Sequence, residues 1–262
     1  MVRRILIVAL TFVLGAAAMR FGPPLFEPTP ARLRGIAAAP CPLPAGQVWA
    51  GFGDPDWVGL CRYQADNARL IAAGTRPETV FFGDSIFALW DSRAPGFFTA
   101  GRVNRGIGGQ ASVMLLARFR QDVLALRPHR VHILAGLNDI AGNSGISSPE
   151  SFIANIESLV DLAEAHGIVP VLATIPPAGR FKQDGFVDPA LWIARLNADL
   201  KALAARRGLA IADYHAVLAD AKGRPRPGLF ADFAHPSAAG YAAMAPVALA
   251  ALGQAPIDKD GR

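Results

Sequence analysis

The chain has 262 residues, 52% hydrophobic and 18% charged, enough for one well-buried core and too mixed for a disordered polymer. Its formal charge of +5 is scattered in single residues and pairs such as Arg206-Arg207; the absence of any basic run or aromatic-interleaved basic patch argues against a nucleic-acid partner. With only two cysteines it is no disulfide-dense scaffold, and one domain is the expected organisation.

Arg3 and Arg4 precede an apolar segment, 5–18, that closes on Gly15, Ala16, Ala17 and Ala18. A basic start, a short apolar stretch and small residues at its end mark an export signal. The segment is shorter than the roughly 20 residues of a membrane span, so residues 1–19 read as a cleaved signal peptide, with an uncleaved membrane anchor as the alternative. The expected location is periplasmic or secreted. Residues 20–56 form a Pro/Gly/Ala-rich linker, in which prolines such as Pro23, Pro24, Pro40, Pro42 and Pro44 prevent a long helix or strand. Cys41 and Cys61 are a disulfide candidate in an oxidising compartment; two buried thiols are the alternative, and their separation is too long for a zinc knuckle.

The folded domain is expected over 57–254, followed by a tail, 255–262. Residues 57–73 look helical, and short apolar runs at 79–82, 102–104, 130–135, 168–175 and 209–214 read as strands. Helices fall between them at 111–126, 149–166 and 189–207, and a last one follows Pro236. Two of these are sharply bounded, by Ser148-Pro149 and Gly167 and by Asp188-Pro189 and Gly208, each with a polar N-cap, Pro in the first turn and Gly past the end. Strand and helix in alternation specify a parallel sheet covered on both faces.

The run Val80-Phe81-Phe82 stops at Gly83-Asp84-Ser85, delivering a serine to a strand-to-helix turn. In open α/β sheets, sites lie beyond the carboxyl ends of strands, so Ser85 is a candidate nucleophile; the alternative is a serine that caps the next helix. A serine nucleophile needs a base and a stabilised oxyanion. Of the five histidines, His129, His132 and His166 read as structural or surface residues. His235 lies in a loop entering the last helix, three residues after Asp232, a spacing at which one local turn holds the carboxylate against one ring nitrogen. His215, after Asp213 at a strand end, is the second candidate base. Backbone N–H groups of Ser85 and Gly109 and the Asn138 side chain, each at a strand end, would make an oxyanion hole.

The stretches Gly83-Asp84-Ser85, Asn104 to Gly109, Gly136-Leu137-Asn138-Asp139 and Asp232 to His235 resemble, in order and spacing, the sequence blocks of the SGNH or GDSL-type hydrolases, over roughly residues 79–250. The resemblance implies a flavodoxin-like three-layer α/β/α sandwich with a mainly parallel five-stranded sheet. It also implies serine esterase or lipase activity, lysophospholipase-like in some members, with no metal or cofactor. Carried over, Ser85 is the nucleophile and first oxyanion donor, Gly109 and Asn138 the other donors, His235 the base and Asp232 its orienting acid. Phe87 and Leu137 stand where the family often has small or hydroxyl residues.

Phe87 and Trp90 either narrow the acyl pocket or pack in the core, while Arg180 and Phe181, in the loop 176–187, are candidates to wall one side of the site. Asp84 and Asp139 are expected to hold loops, and Arg118, Arg120 and Asp122 to form a solvated helix face. Arg105 suits either substrate or surface. The expected substrate is a small-molecule, carbohydrate or lipid ester. Two rivals are a non-catalytic carbohydrate- or lipid-binding module on the same fold, and a dinucleotide-binding protein, since Gly106 to Ala111 matches G-x-G-x-x-A. The second lacks its ribose-binding acid, because the next strand ends Leu134-Ala135-Gly136.

Overall fold

The run Thr79–Gly83 is strand β1, and all five of its residues are buried. It pairs in parallel with β2 (Arg102–Gly106) on one side and β3 (Arg130–Leu134) on the other. β4 (Val169–Ala173) and β5 (Ile211–Ala212) complete a five-stranded, all-parallel sheet in the order β2-β1-β3-β4-β5. That is the flavodoxin-like order, and its switch point is the crevice between the carboxyl ends of β1 and β3. The computed structural model describes residues 56–99, 101–179, 181 and 188–254. The expected signal segment, the linker up to residue 55, Cys41 with its end of the candidate disulfide, Arg180 and the tail lie outside the described residues.

Alternation along β1 puts helices on both faces of the sheet. Phe82 meets Phe119 of α4 (Ser112–Asp122), ring centroids 5.3 Å apart. Phe81, one residue earlier, points the other way, toward Trp90 of α3 (Trp90–Arg93) at 6.1 Å, and Trp90 stands 5.1 Å from Tyr241 of α9 (Ala238–Gln254). On the Phe119 side, α1 (Gln64–Ala72), α4, α6 (Pro149–Glu164) and α7 (Pro189–Arg207) pack each against the next; on the other, α9 packs against α3 and α8 (Tyr214–Leu218). Two one-turn helices, α2 (Ser85–Ala88) and α5 (Leu137–Ile140), leave the ends of β1 and β3. The expected three-layer sandwich is what the chain adopts. Among the described residues no helix is long and apolar enough to cross a membrane.

Departures from the expected elements have local causes. Helix starts at Gln64, not 57, because the Asp56 carboxylate folds a turn by accepting the N–H groups of Leu60 at 2.6 Å and Cys61 at 2.8 Å. β5 is two residues long because Asp213 caps α8, accepting the Ala216 N–H at 3.2 Å. β2 continues to Gly106, where a Cβ would lie 2.3 Å from the Ala88 nitrogen; only glycine lets β2 pass this close to α2.

The largest correction concerns Arg118 and Asp122, which are fully buried rather than solvated; Arg120 alone faces solvent. Arg118 donates to Gln110 at 2.5 Å, to Asp122 at 2.9 Å and to the Gly83 carbonyl at 2.9 Å, its guanidinium lying 4.2 Å from the Phe82 ring centre. Asn67 donates to Asp122 at 2.7 Å and accepts from Arg105 at 2.8 Å, and Arg105 in turn meets Asp66 at 2.7 Å. Arg105 therefore belongs to a buried polar network behind the end of β1, not to a substrate surface.

His132 is buried at the centre of β3. Its Nδ1 donates to the Val171 carbonyl at 3.1 Å, so Nε2 accepts from the Tyr214 hydroxyl at 2.7 Å. Burial, against the smaller pull of the Val171 carbonyl, lowers its pKa from 6.5 to about 4. The unfolded chain takes up this proton below pH 6.5 and the folded one does not, so the stability it confers is present above pH 6.5 and is lost as pH falls toward about 4, by about 3 kcal/mol. Urea unfolding at pH 7 and pH 4.5 checks this: His132→Phe is expected to be less stable than the parent at pH 7, with the gap closing at pH 4.5. Asp84, pushed up to about 7, has the opposite pH dependence, but it is common to both proteins and cancels in the comparison.

Candidate active site

Asp84, directly after β1, is the N-cap of α2 and accepts the Ile86 N–H at 2.9 Å. The capping is thus done by Asp84, and the Ser85 hydroxyl is left for another partner. That partner is His235: Ser85 Oγ and His235 Nε2 are 2.9 Å apart. His235 Nδ1 stands 2.9 Å and 3.0 Å from the two Asp232 carboxylate oxygens. A carboxylate only accepts, so Nδ1 carries the proton and Nε2 is the acceptor facing the serine hydroxyl.

The Asp232–His235 turn is built locally. Asp232 Oδ1 accepts the N–H groups of Ala234 at 2.9 Å and His235 at 2.8 Å, and Ala231 N–H closes on the His235 carbonyl at 2.9 Å. Partial burial pushes the Asp232 carboxyl up, but the two N–H groups and the His235 ring outweigh it and leave it below the usual carboxylate range. The loop is seated from outside as well, by Gly179 N–H donating to the Phe233 carbonyl at 2.6 Å.

Asn138 lies across the switch point, in the first turn of α5, its Nδ2 3.1 Å from the Gln110 carbonyl and 3.3 Å from Asp84 Oδ2. Its Oδ1 accepts from Asn143 Nδ2 at 2.8 Å, and Asn143 Nδ2 also donates to the Gly109 carbonyl at 3.1 Å. One side chain thereby ties together two of the three expected oxyanion donors. Gly109 has φ +79°, which lets the turn after β2 bring its backbone to this edge. Beneath the site, burial pushes the Asp84 carboxyl up to about 7, the nearby Asp139 adding to it, and raises Asp139 as well. Asp139 accepts the Ser112 N–H at 3.0 Å and hydroxyl at 2.5 Å, so both carboxyls hold loops, as expected.

A cleft of about 300 Å³ opens over these groups, lined by Ser85, Leu137, Asn138, Ala141, Asn143, Phe181, Phe233, Ala234 and His235. Asp232 stands behind His235, and Phe181 is brought to the wall. Phe87 and Trp90 are not: both are fully buried, the helical turn after Ser85 rotating them onto Phe81, 5.2 Å and 6.1 Å away, so they are core residues and not a substrate surface. His215 does not line the cleft; its N–H bonds Thr174 Oγ1 at 2.9 Å. Sequence reasoning missed Phe233, half exposed and edge-on to Phe181 at 6.0 Å, for which the signal was an aromatic residue inside the Asp232–His235 turn. It also missed Asn143, for which the signal was a second amide five residues after Asn138.

The profile of the GDSL-like Lipase/Acylhydrolase family matches residues 81–243. Among solved structures, a GDSL-like lipase from Bacteroides thetaiotaomicron is 32% identical, covering 75% of this chain and 98% of its own, with a TM-score of 0.70. A protein from Bacteroides fragilis described as an acylhydrolase is 37% identical over 76% of this chain and 98% of its own, TM-score 0.71. An acetylxylan esterase from Geobacillus stearothermophilus, 24% identical over 68% of this chain and 94% of its own, shares the fold with a TM-score of 0.56. The uncharacterized lipoprotein YqeF of Bacillus subtilis is 35% identical over 79 residues, 29% of this chain, and the matched part spans about a third of that lipoprotein's length.

Proposed function

The chain belongs to the GDSL-like lipase/acylhydrolase family, and from that premise we propose that it is a serine esterase working through an acyl-enzyme on Ser85. The observation that carries the reading is the relay Ser85 Oγ to His235 Nε2 at 2.9 Å and His235 Nδ1 to Asp232 at 2.9 Å. His235 takes the Ser85 proton as Oγ attacks the ester carbonyl, and Asp232 holds the ring and stabilises the imidazolium. The N–H groups of Ser85 and Gly109 bind the oxyanion together with Asn138 Nδ2, which exchanges its longer contact, 3.3 Å to Asp84 Oδ2, for the developing charge. His235 protonates the departing alcohol, and water repeats the cycle on the acyl group.

The substrate class is a small acyl ester. The cleft, about 300 Å³, is at the small end of ligand sites, and its flanks of Leu137, Ala141 and Phe181 suit an acetyl or short acyl group better than a long chain. The alcohol part is a carbohydrate or a lysophospholipid-type lipid. Arg3, Arg4 and the apolar segment behind them, with the match to a lipoprotein, support export from the cytoplasm.

The test is turnover of p-nitrophenyl esters from acetyl to long acyl, together with acetylated oligosaccharides. The expected result is hydrolysis that falls with acyl length; a protein with no turnover above background on any of these esters would overturn the reading. Asn138→Ala is expected to lower kcat on p-nitrophenyl acetate by about 10²–10³-fold. Asn143→Ala, which keeps all the donors but loosens both the Asn138 amide and the Gly109 turn, is expected to lower it by about 10-fold.

A further inference from the structure

Local turns fix the shape of the Asp232–His235 loop, but they do not fix its place over Ser85. Arg93 reaches the loop from the nucleophile's side. It is the last residue of α3, eight positions after Ser85, and its Nη1 donates to the Pro236 carbonyl at 2.9 Å. Its Nη2 lies 3.9 Å from Asp232 Oδ2, the oxygen that takes the shorter bond from His235 Nδ1. The other oxygen is already occupied by the Ala234 and His235 N–H groups. A separation of 3.9 Å is too long for a hydrogen bond, so this second contact is Coulombic, and with both side chains only partly exposed it is not fully screened. The fork of a guanidinium is what allows one side chain to serve a carbonyl and a carboxylate together.

We propose that Arg93 is a positioning residue for the acid–base pair: its guanidinium clamps the loop to the segment carrying Ser85 and offsets part of the Asp232 charge felt by His235. This rests on the serine-esterase reading. The Gly179 bond to Phe233 seats the loop on one side and Arg93 seats it on the other, at the residue after the base. The charged and titratable groups gathered here are Arg93 from α3, Asp232 from the loop, Asp84 from beneath and Tyr241 from α9, whose hydroxyl donates to the Ile86 carbonyl at 2.7 Å. Of these Arg93 is the cation. Removing it strengthens the hold of Asp232 on the imidazolium, so the inactive protonated form persists to higher pH.

The experiment compares Arg93→Met, Arg93→Lys and Ser85→Ala with the parent, using p-nitrophenyl acetate across the pH range. Arg93→Met is expected to lose about 10–100-fold in kcat with KM within about twofold, and to move the acid limb of kcat/KM upward by about half a pH unit. Arg93→Lys keeps the charge and loses the fork; its kcat falls while the acid limb stays where it is. If Arg93→Met does not fold, that split in Arg93→Lys decides alone. Parental rates and profiles in the Arg93 variants, beside an inactive Ser85→Ala, overturn this proposal and leave the esterase reading standing. A rate loss in Arg93→Met with an unmoved acid limb also overturns it, since loosened packing alone explains that. A fully active Ser85→Ala overturns the esterase reading instead.

Discussion

Ser85→Ala is expected to lower kcat on p-nitrophenyl acetate by about 10⁶-fold while the melting temperature stays that of the parent. The chemical half of this expectation follows from the relay: without Oγ there is no atom to attack the carbonyl, and the oxyanion donors, which include the backbone N–H at position 85 that alanine keeps, leave only the modest acceleration of an oxyanion hole acting on water. The structural half follows from the capping. Asp84, not Ser85, closes the start of α2, and the hydroxyl's bond is to His235. His235→Ala is expected to fall by a similar factor, because a serine hydroxyl without its base is a poor nucleophile. The double variant is then no slower than either single one, since residues that act as one unit do not add. Losses that multiply would mean that Ser85 and His235 act separately.

Arg118→Met is expected to cost about 3–5 kcal/mol of stability, read from urea unfolding. The side chain is fully buried, and removing it strands Asp122, also fully buried, with Asn67 Nδ2 at 2.7 Å as its remaining side-chain donor. It also takes one donor from the Gly83 carbonyl, which keeps the bond from the Ile107 N–H at 3.0 Å, and one from Gln110. The cost comes less from the lost attraction than from the uncompensated charge, so Arg118→Met combined with Asp122→Leu is expected to recover part of the loss. Because Gly83 immediately precedes Asp84 and Ser85, activity of the single variant is expected to fall with its stability.

The same residues explain what the sequence made legible and what it did not. Helix α7 begins and ends where its punctuation says, with Asp188 accepting the Ala190 N–H at 3.0 Å and Gly208 in the left-handed region at φ +66°. Caps, prolines and glycines act within a few residues, so they can be read along the chain. The same holds for Asp232 and His235, three apart in one turn, and for strand ends that present Ser85 and Asn138. Arg118 and Asp122 could not be read in this way. An Arg and an Asp four apart on a helix look like an exposed pair, and what buries them is Asn67 and Gln110, brought there only by the fold. Phe87 and Trp90 lie beside the nucleophile in sequence, yet the turn of the chain carries them beneath it. Arg93 gave no local sign, because its partner carbonyl is 143 residues away.

Ser85 Oγ as the nucleophile is tested by labelling the protein with a fluorophosphonate and mapping the modified peptide by mass spectrometry. A single phosphonyl adduct is expected, on Ser85, formed in step with the loss of esterase activity and absent from Ser85→Ala. Complete loss of activity with Ser85 unmodified, or an adduct on another serine that tracks the loss, would contradict it.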